Sequence, residues 1–403
     1  MLQLSFVRFA RGTYLFVEGK ADNGLFYIIQ SGKVVCSSAD TVKGTIPTEF
    51  GPGDFVGVIS CMSNHSQVES VQALTEVVCI AVRREQYPDL IAQNTPVALK
   101  IIRTFANRMR VLNDSMMKLT LNNNAIATPE QLFNVAVFYE KAEKLDIATY
   151  AYYHYIKACP TGAHVQLAKK HFVALKPKSQ AVYFEPTADM TRAYPKDTMI
   201  FAECQSGAEM FIIQEGQVKI SKVVDGNEVT LALLKAGDMF GEMALLENKP
   251  RSATAIANEN CRLMVINRQN FNQMVSSQPQ LVFRLTKTFA ERIWSMYRQL
   301  ANTQLTDPVE KMLDMLALQV EKAHLNFAIK PLFRADLTPQ DLATMCGLTK
   351  EQQQRALYLF SKNKLVEIVY PENKIVVPDC ASLLKEVQFN RQALRRAMAH
   401  EKD

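Results

Sequence analysis

Residues 237–255 read Gly-Asp-Met-Phe-Gly-Glu-Met-Ala-Leu-Leu-Glu-Asn-Lys-Pro-Arg-Ser-Ala-Thr-Ala. The stretch joins a Gly-Glu-x-Ala turn to an Arg-Ser dipeptide nine residues after the glutamate. Gly241 lets the backbone approach a ligand closely. Successive amides of a tight turn that leads into a short helix form a concave nest of N–H groups for an anion. Glu242 can accept hydrogen bonds from a ribose hydroxyl, Arg251 can pair with phosphate oxygens, and Ser252 can donate to one of them. Together these groups suit a ribose joined to a cyclic phosphate. The plainer reading is a surface turn with a solvated arginine. The joint spacing of glycine, acid, small residue and Arg-Ser argues against it.

On these residues the sequence resembles the phosphate-binding cassette of the cyclic-nucleotide-binding domain family. The resemblance implies a β-roll with flanking helices and cAMP or cGMP as ligand. It implies contacts from Gly241, Glu242, Met243, Ala244, Arg251 and Ser252. It also implies that the base meets the long helix after the roll near Met296 and Tyr297, with or without a partner helix. The hydroxyl pair expected there for adenine in the bacterial regulators is absent, so the choice of base stays open.

The same pattern occurs twice. Gly237-Asp238-Met239-Phe240-Gly241 lies over Gly53-Asp54-Phe55-Val56-Gly57, 184 positions earlier. At the same offset Phe211-Ile212-Ile213-Gln214-Glu215-Gly216 lies over Tyr27-Ile28-Ile29-Gln30-Ser31-Gly32, and Thr288–Ile293 lies over Thr104–Met109. Between these anchors, short β-branched and aromatic runs broken by Gly, Asp and Asn predict strands and turns. Each copy ends in a helical pattern with a heptad-like stripe: Phe105, Met109, Leu112, Met116 and Leu119 in the first, Phe289, Ile293, Met296 and Leu300 in the second. Such a stripe serves as a domain's own core face or as a helix–helix seam. An internal pseudo-dimer and a homodimer both remain open. The copies differ where ligand chemistry sits: Glu242 aligns with Val58, Arg251 with Gln67 and Ser252 with Val68. A cyclic phosphate buried in the first copy would lack a counter-charge, at a heavy cost. The first copy is therefore expected to bind no cyclic nucleotide in the usual way, and to serve structure or assembly.

Composition is that of a globular chain. The 403 residues are 48% hydrophobic and 21% charged, with a net charge of +6 that permits nucleic-acid binding without demanding it. No run of 18 uncharged apolar residues predicts a membrane span, and the start does not read as a signal peptide. Eight scattered cysteines include no C-x-x-C pair, which gives a zinc or iron–sulfur site little support and fits free thiols in a cytoplasmic protein. No metal is expected. The six histidines are dispersed, and no Ser/His/Asp, H-E-x-x-H or P-loop pattern appears, so an enzyme is not expected.

Between the copies, Asn-Asn-Asn at 122–124 predicts a loop. Leu132, Ala136, Tyr139, Ala148, Tyr152 and Pro160 then match one tetratricopeptide-like helical hairpin, which cannot bury its apolar face alone. It reads as a spacer packed on neighbouring domains, with a protein-docking surface as the alternative. Few basic residues interleave Tyr150-Ala151-Tyr152-Tyr153-His154-Tyr155, so a nucleic-acid stacking platform is disfavoured.

After the second long helix, Asp307-Pro308 reads as a helix start. In Leu337–Glu351, Thr338 caps one helix with Asp341 in the manner of a capping box. Ala343 is small where helices cross, Gly347 permits a tight turn, and Thr349 caps the next helix. Leu365–Tyr370 and Lys374–Val377 flank Pro371-Glu372-Asn373 as a β-hairpin. The order of roll, long helix and winged helix-turn-helix resembles the catabolite activator family of bacterial transcription regulators. That resemblance implies a DNA-facing set of Thr338, Thr349, Lys350, Glu351 and Arg355, with Arg and Lys suited to guanine edges and phosphates and Glu to cytosine. Gln353 and Ala356 depart from the pattern, standing where larger apolar residues are usual, and are expected to loosen the second helix. The basic tail of Lys385, Arg391, Arg395 and Arg396 reads as a solvated amphipathic helix, with phosphate contact as the alternative.

The expected fold is α+β, in four segments. Residues 1–120 form a degenerate cyclic-nucleotide-binding-like domain, 121–182 a helical spacer, 183–303 a ligand-binding roll, and 304–403 a winged helix-turn-helix with a C-terminal helix. The expected function is a cyclic-nucleotide-responsive transcription regulator that binds double-stranded DNA and no membrane. The alternative is a sensor that acts through protein partners. Two rolls also occur in kinase regulatory subunits, but no Arg-Arg-x-Ser/Ala pseudosubstrate is present.

Overall fold

The computed structural model describes residues 4–38, 48–121, 128–224, 226–325 and 331–400. The loop expected at 122–124 lies outside them, as do the side chains of Leu119 and Arg395. The chain forms two compact units. Among the described residues, one takes in 83–111 and 128–290, the other 4–82, 112–121 and 291–400. Spatial grouping thus crosses chain order, pooling the second roll with the central helices and the first roll with the C-terminal segment.

Each unit contains a two-sheet antiparallel β-roll. In the first copy one sheet orders Ser5–Phe9, Val77–Arg83, Leu25–Ser31 and Phe55–Val56; the other orders Tyr14–Phe16, Ser70–Ala73, Val34–Ser37 and Thr48–Phe50. In the second copy the corresponding orders are Thr191–Tyr194, Cys261–Asn267, Glu209–Glu215 and Met239–Phe240, then Met199–Phe201, Thr254–Ala257, Val218–Val224 and Asn227–Leu234. The match extends to register. Tyr27 pairs with Val56 and Ile28 with Phe55, while Phe211 pairs with Phe240 and Ile212 with Met239. The amide of Gly53 donates to Ile29 O, and that of Gly237 to Ile213 O, both at 2.8 Å. Alternating burial, as in Val77, Cys79 and Ala81, fills the first roll's core. Phe201, Phe211, Phe240 and Leu263 are among the residues that fill the second.

Three helices, Gln131–Lys141, Leu145–Ala158 and Val165–Leu175, pack on the second roll. Their apolar faces share one cluster with Met199, Ala202, Cys204 and Ile256 of that roll. Tyr150, Tyr152 and Tyr155 lie inside this cluster, which removes them from any stacking role on a surface. Tyr139 Oη donates to Glu228 Oε1 at 2.8 Å and Tyr150 Oη to the Ile200 carbonyl at 3.1 Å, so buried hydroxyls anchor the helices.

The heptad stripes are interior. Phe105, Met109 and Leu112 on helix Thr95–Leu121 are buried, and so are Phe289, Ile293, Met296 and Leu300 on helix Pro279–Thr303. In the unit of the second roll, Tyr87 shares a buried hydrogen bond with Thr286 at 2.9 Å, joining the helix Tyr87–Gln93 of the first copy to the long helix of the second.

In the other unit, helix Pro308–Lys322 starts at Asp307, whose side chain accepts from the amides of Val309 and Glu310. Helices Pro339–Met345 and Lys350–Ser361 follow, with capping boxes at Thr338 and Thr349. A hairpin of Glu367–Val369 and Lys374–Val377 carries Phe333–Arg334 as a third strand. Helix Cys380–His400 closes the chain. Arg391 is not a solvated basic residue. Its guanidinium grips Asp314, with Nε at 2.6 Å and Nη2 at 2.9 Å from the carboxylate oxygens. Asp314 is buried and also accepts from Asn302, so Arg391 neutralises a buried charge and is withdrawn from phosphate contact.

Candidate functional site

The cassette is built on a left-handed glycine. Gly241, at φ 79°, precedes the helix Glu242–Glu247, and Gly57 takes the same place in the first copy at φ 80°. That φ is open to glycine at little cost and turns the helix N-terminus toward the roll. Asn248 and Asn64 end the two helices, also left-handed. The backbones therefore agree, and the difference between the copies lies in the side chains.

The structure brings Gly241, Glu242, Met243, Ala244, Arg251 and Ser252 together. Glu242, Met243 and Ala244 are buried, with Glu242 1% exposed. Ser252 Oγ donates to Met243 Sδ at 3.6 Å. Arg251 is 6% exposed, and its Nη1 donates to the Gly241 carbonyl at 2.7 Å. Its guanidinium lies 4.1 Å from the centre of the Phe201 ring and 5.9 Å from that of Phe211. Its backbone is paired too: Arg251 N donates to Gln205 O, and Cys204 N donates to Arg251 O.

Burial pulls the Arg251 guanidinium down to about 10, against the opposing fields of Tyr150, Glu209 and Glu242. It stays cationic at neutral pH. Its Nε is buried without a hydrogen-bond acceptor. A buried cation with an unused donor is an unfavourable arrangement that an anion would relieve. At the matching place in the first roll stands Gln67, neutral and 5% exposed, with Val58 in place of the glutamate.

Several contributors were not legible from the motif. A Cβ on Gly207 would stand 2.4 Å from Arg251 Nε, so a larger residue there would push the guanidinium from its present place. Gln205 accepts from Ala202 N and donates to Tyr150 Oη, which fastens the segment after strand Met199–Phe201, paired with Arg251, to the central helices. Arg192 and Glu209 form a bidentate pair at 2.7 and 2.9 Å beneath the site. Arg110, on the first long helix, donates to the carbonyl of Pro250 at 3.4 Å, immediately before Arg251. The Gly207 signal was present in the sequence as an unexplained glycine; the others needed the fold.

Met296, buried, and Tyr297, half-buried, lie on helix Pro279–Thr303 in the part that belongs to the other unit. Of the residues carried over as DNA-facing, Thr349, Lys350, Glu351 and Arg355 are exposed along one helix, and Thr338 is half-buried in its own capping box. Gln353 does not loosen that helix. Its Nε2 donates to Leu348 O at 2.8 Å and its Oε1 accepts from Gln340 Nε2 at 2.6 Å, so hydrogen bonds span the crossing in place of an apolar contact. Ala356 is 2% exposed, which shows that the crossing is close.

All eight cysteines are free, and seven are buried. Among the described residues no helix is long and apolar enough to cross a membrane.

Comparison with known proteins bears on the two rolls. Residues 6–94 and 191–278 each match the cyclic nucleotide-binding domain family. The cyclic AMP receptor protein of Thermus thermophilus is 27% identical over 205 residues, covering 49% of this chain and 88% of that protein. A CRP-like cAMP-activated global transcriptional regulator of Mycobacterium tuberculosis is 25% identical over 169 residues, or 42% of this chain and 75% of its own length. A cAMP-dependent protein kinase regulatory subunit of Mycosarcoma maydis is 40% identical over 78 residues, 19% of this chain and 15% of that protein. These three relatives are named as regulators. Two regions of the chain are thus similar to the cyclic nucleotide-binding domain family, and its relatives include transcription regulators of the cAMP-activated type.

Proposed function

We propose that this protein is a transcription regulator in which one cyclic nucleotide binds the second roll and the C-terminal segment binds duplex DNA as a winged helix-turn-helix. The observation that carries the proposal is the contrast between two matched backbones: Arg251 places a buried cation in the cassette, whereas the buried Gln67 at the matching place carries no charge. The phosphate takes Arg251 and Ser252, and the ribose takes Glu242. The relatives' names make cAMP the first effector to test. The Tyr87–Thr286 bond and the approach of Arg110 to Pro250 attach helices of the first copy to the unit of the second roll; an internal pseudo-dimer and a homodimer are the two assemblies to test. The four segments of the sequence reading then take the roles of degenerate roll, helical spacer, sensing roll and DNA-binding output.

Titration calorimetry of the full chain with cAMP and cGMP tests the ligand half; one site per chain is expected, weakened about 100-fold by Arg251→Ala. Selection from random duplex DNA, with and without nucleotide, tests the output. A coupling of ~1–3 kcal/mol between the sites changes operator affinity about 5- to 150-fold. Equal DNA affinity in both states removes the switch.

A second reading, action through a protein partner, is favoured by the apolar exposure of the C-terminal segment. Tyr358 and Leu359 are 64% and 43% exposed on the helix that carries Arg355, and Tyr370 is 75% exposed beside the hairpin. Selection that enriches no DNA sequence supports this reading.

A further inference from the structure

Three side chains far apart in sequence converge outside the cassette, all within the unit that holds the first roll. His65 follows the short helix Val58–Ser63 of the first roll. Glu291 lies on helix Pro279–Thr303. His324 stands just past helix Pro308–Lys322. His65 Nε2 is 3.6 Å from Glu291 Oε2, and His324 Nε2 is 3.2 Å from Glu291 Oε1. One ligand atom from each residue falls within 4.8 Å of the other two. Two ligands each ~2.1 Å from a tetrahedral ion stand ~3.4 Å apart, and the two carboxylate–imidazole separations bracket that spacing.

His65 supplies a second, independent observation. Its side chain is 9% exposed and stacks on Trp294, with ring centres 3.7 Å apart and planes 13° from parallel. Its Nε2 is buried and makes no hydrogen bond. The carboxylate it faces is too distant for a good one. The aromatic stack fixes the imidazole while its nitrogen is left for a ligand. Glu291 offers each imidazole a separate carboxylate oxygen. His324 is 44% exposed, which leaves its ring room to turn and an open side for water.

We propose that His65, Glu291 and His324 form a site for one divalent transition-metal ion of the zinc class, with water as the fourth ligand. Two imidazoles and one carboxylate suit zinc, cobalt or nickel over calcium or magnesium, which take oxygen ligands. The eight cysteines are not an alternative cage. Burial pushes Cys79 up to about 11 and Cys204 and Cys346 up to about 12, and none belongs to this cluster. The ion would tie the first roll's post-helix segment to two helical elements of the same unit. The roll that lacks a phosphate cation would thus respond to metal, independently of nucleotide binding in the second roll.

The test is titration of the full-length, metal-stripped protein with Zn2+ against a chromophoric chelator, followed by Co2+ substitution. The expected result is one ion per chain, and a thermal midpoint raised by Zn2+. Affinity should fall at least about tenfold in each of His65→Ala, Glu291→Gln and His324→Ala. Bound Co2+ should show tetrahedral d–d bands without thiolate charge transfer. Because His65 is buried, its variant could misfold. The half-exposed His324 keeps the test decisive, since His324→Ala should retain the metal-free midpoint and lose the Zn2+ shift. Wild-type affinity in His324→Ala, or a thiolate band with Co2+, overturns the site.

Discussion

Arg251 Nη1 donates to the carbonyl oxygen of Gly241 at 2.7 Å, so the glycine that opens the cassette helix also holds the cassette's cation. The two are ten residues apart, and each constrains the other. A Cβ on Gly241 would sit 2.7 Å from Arg251 Nη1. In the first copy a Cβ on the same left-handed glycine, Gly57, would instead meet the Phe16 ring, at 2.4 Å.

Replacing Arg251 separates ligand binding from folding. Arg251→Ala should weaken cyclic-nucleotide affinity about 100-fold, or about 2.7 kcal/mol, through loss of charge-assisted pairing. Arg251→Lys should recover little, because a point charge does not reproduce the fork of the guanidinium. Calorimetry at one salt concentration checks both. Undiminished binding by Arg251→Ala would place the ligand elsewhere.

Gly207 has no direct chemistry and should still matter. An alanine Cβ there would lie 2.4 Å from Arg251 Nε and 2.5 Å from Cζ, displacing the guanidinium. Overpacking of this kind costs about 1–3 kcal/mol. Gly207→Ala should therefore bind nucleotide at least about tenfold more weakly while its far-ultraviolet circular dichroism matches wild type. Wild-type affinity would show that Arg251 does not need this position.

Acid should loosen the central helices. Burial pulls His154 down to about 4 from an ordinary value of 6.5. The folded protein holds this imidazole neutral, while the unfolded chain takes up a proton once the pH drops below about 6.5. Stability is therefore full above the unfolded value and declines as pH falls from about 6.5 to about 4, by ~3 kcal/mol in all. Urea midpoints across that range, for wild type and His154→Gln, isolate the contribution. An identical pH slope in the two proteins would rule it out.

Asp314 should be among the costlier single charges to remove. It is 3% exposed and accepts from Arg391 and Asn302. Asp314→Ala leaves the half-buried Arg391 guanidinium without its anion, at about 3–5 kcal/mol. A drop in the thermal midpoint with retained nucleotide affinity is the expected outcome. A midpoint within error of wild type would mean that the pair contributes nothing net.

On the C-terminal helices, Gln353→Ala breaks the bonds to Leu348 and Gln340, and Thr349→Ala removes a helix cap worth about 1 kcal/mol. Arg355→Ala leaves the fold intact. All three should lower DNA affinity, measured by fluorescence anisotropy on a selected duplex. Only Gln353→Ala and Thr349→Ala should also lower stability.

The repeat was fully present in the sequence, because strand register and turn glycines are local properties. Gly53, Asp54 and Gly57 recur at Gly237, Asp238 and Gly241, and a chain with the same turns and alternation must pair its strands alike. The cassette was legible for a similar reason: its chemistry lies within one continuous stretch. The helix caps at Asp307, Thr338 and Thr349 also follow from neighbours in sequence.

Contacts across long separations were not legible. Gln353 looked like a flaw until Gln340 and Leu348 were seen to bond it, and Arg391 looked solvated until Asp314 met it across 77 residues. Gly207, Arg110 and the His65–Glu291–His324 cluster belong to the same class. A sequence states which groups a chain can offer and how its near neighbours turn. Which distant groups share a buried space is set by how packed elements exclude water, and only the tertiary structure decided that.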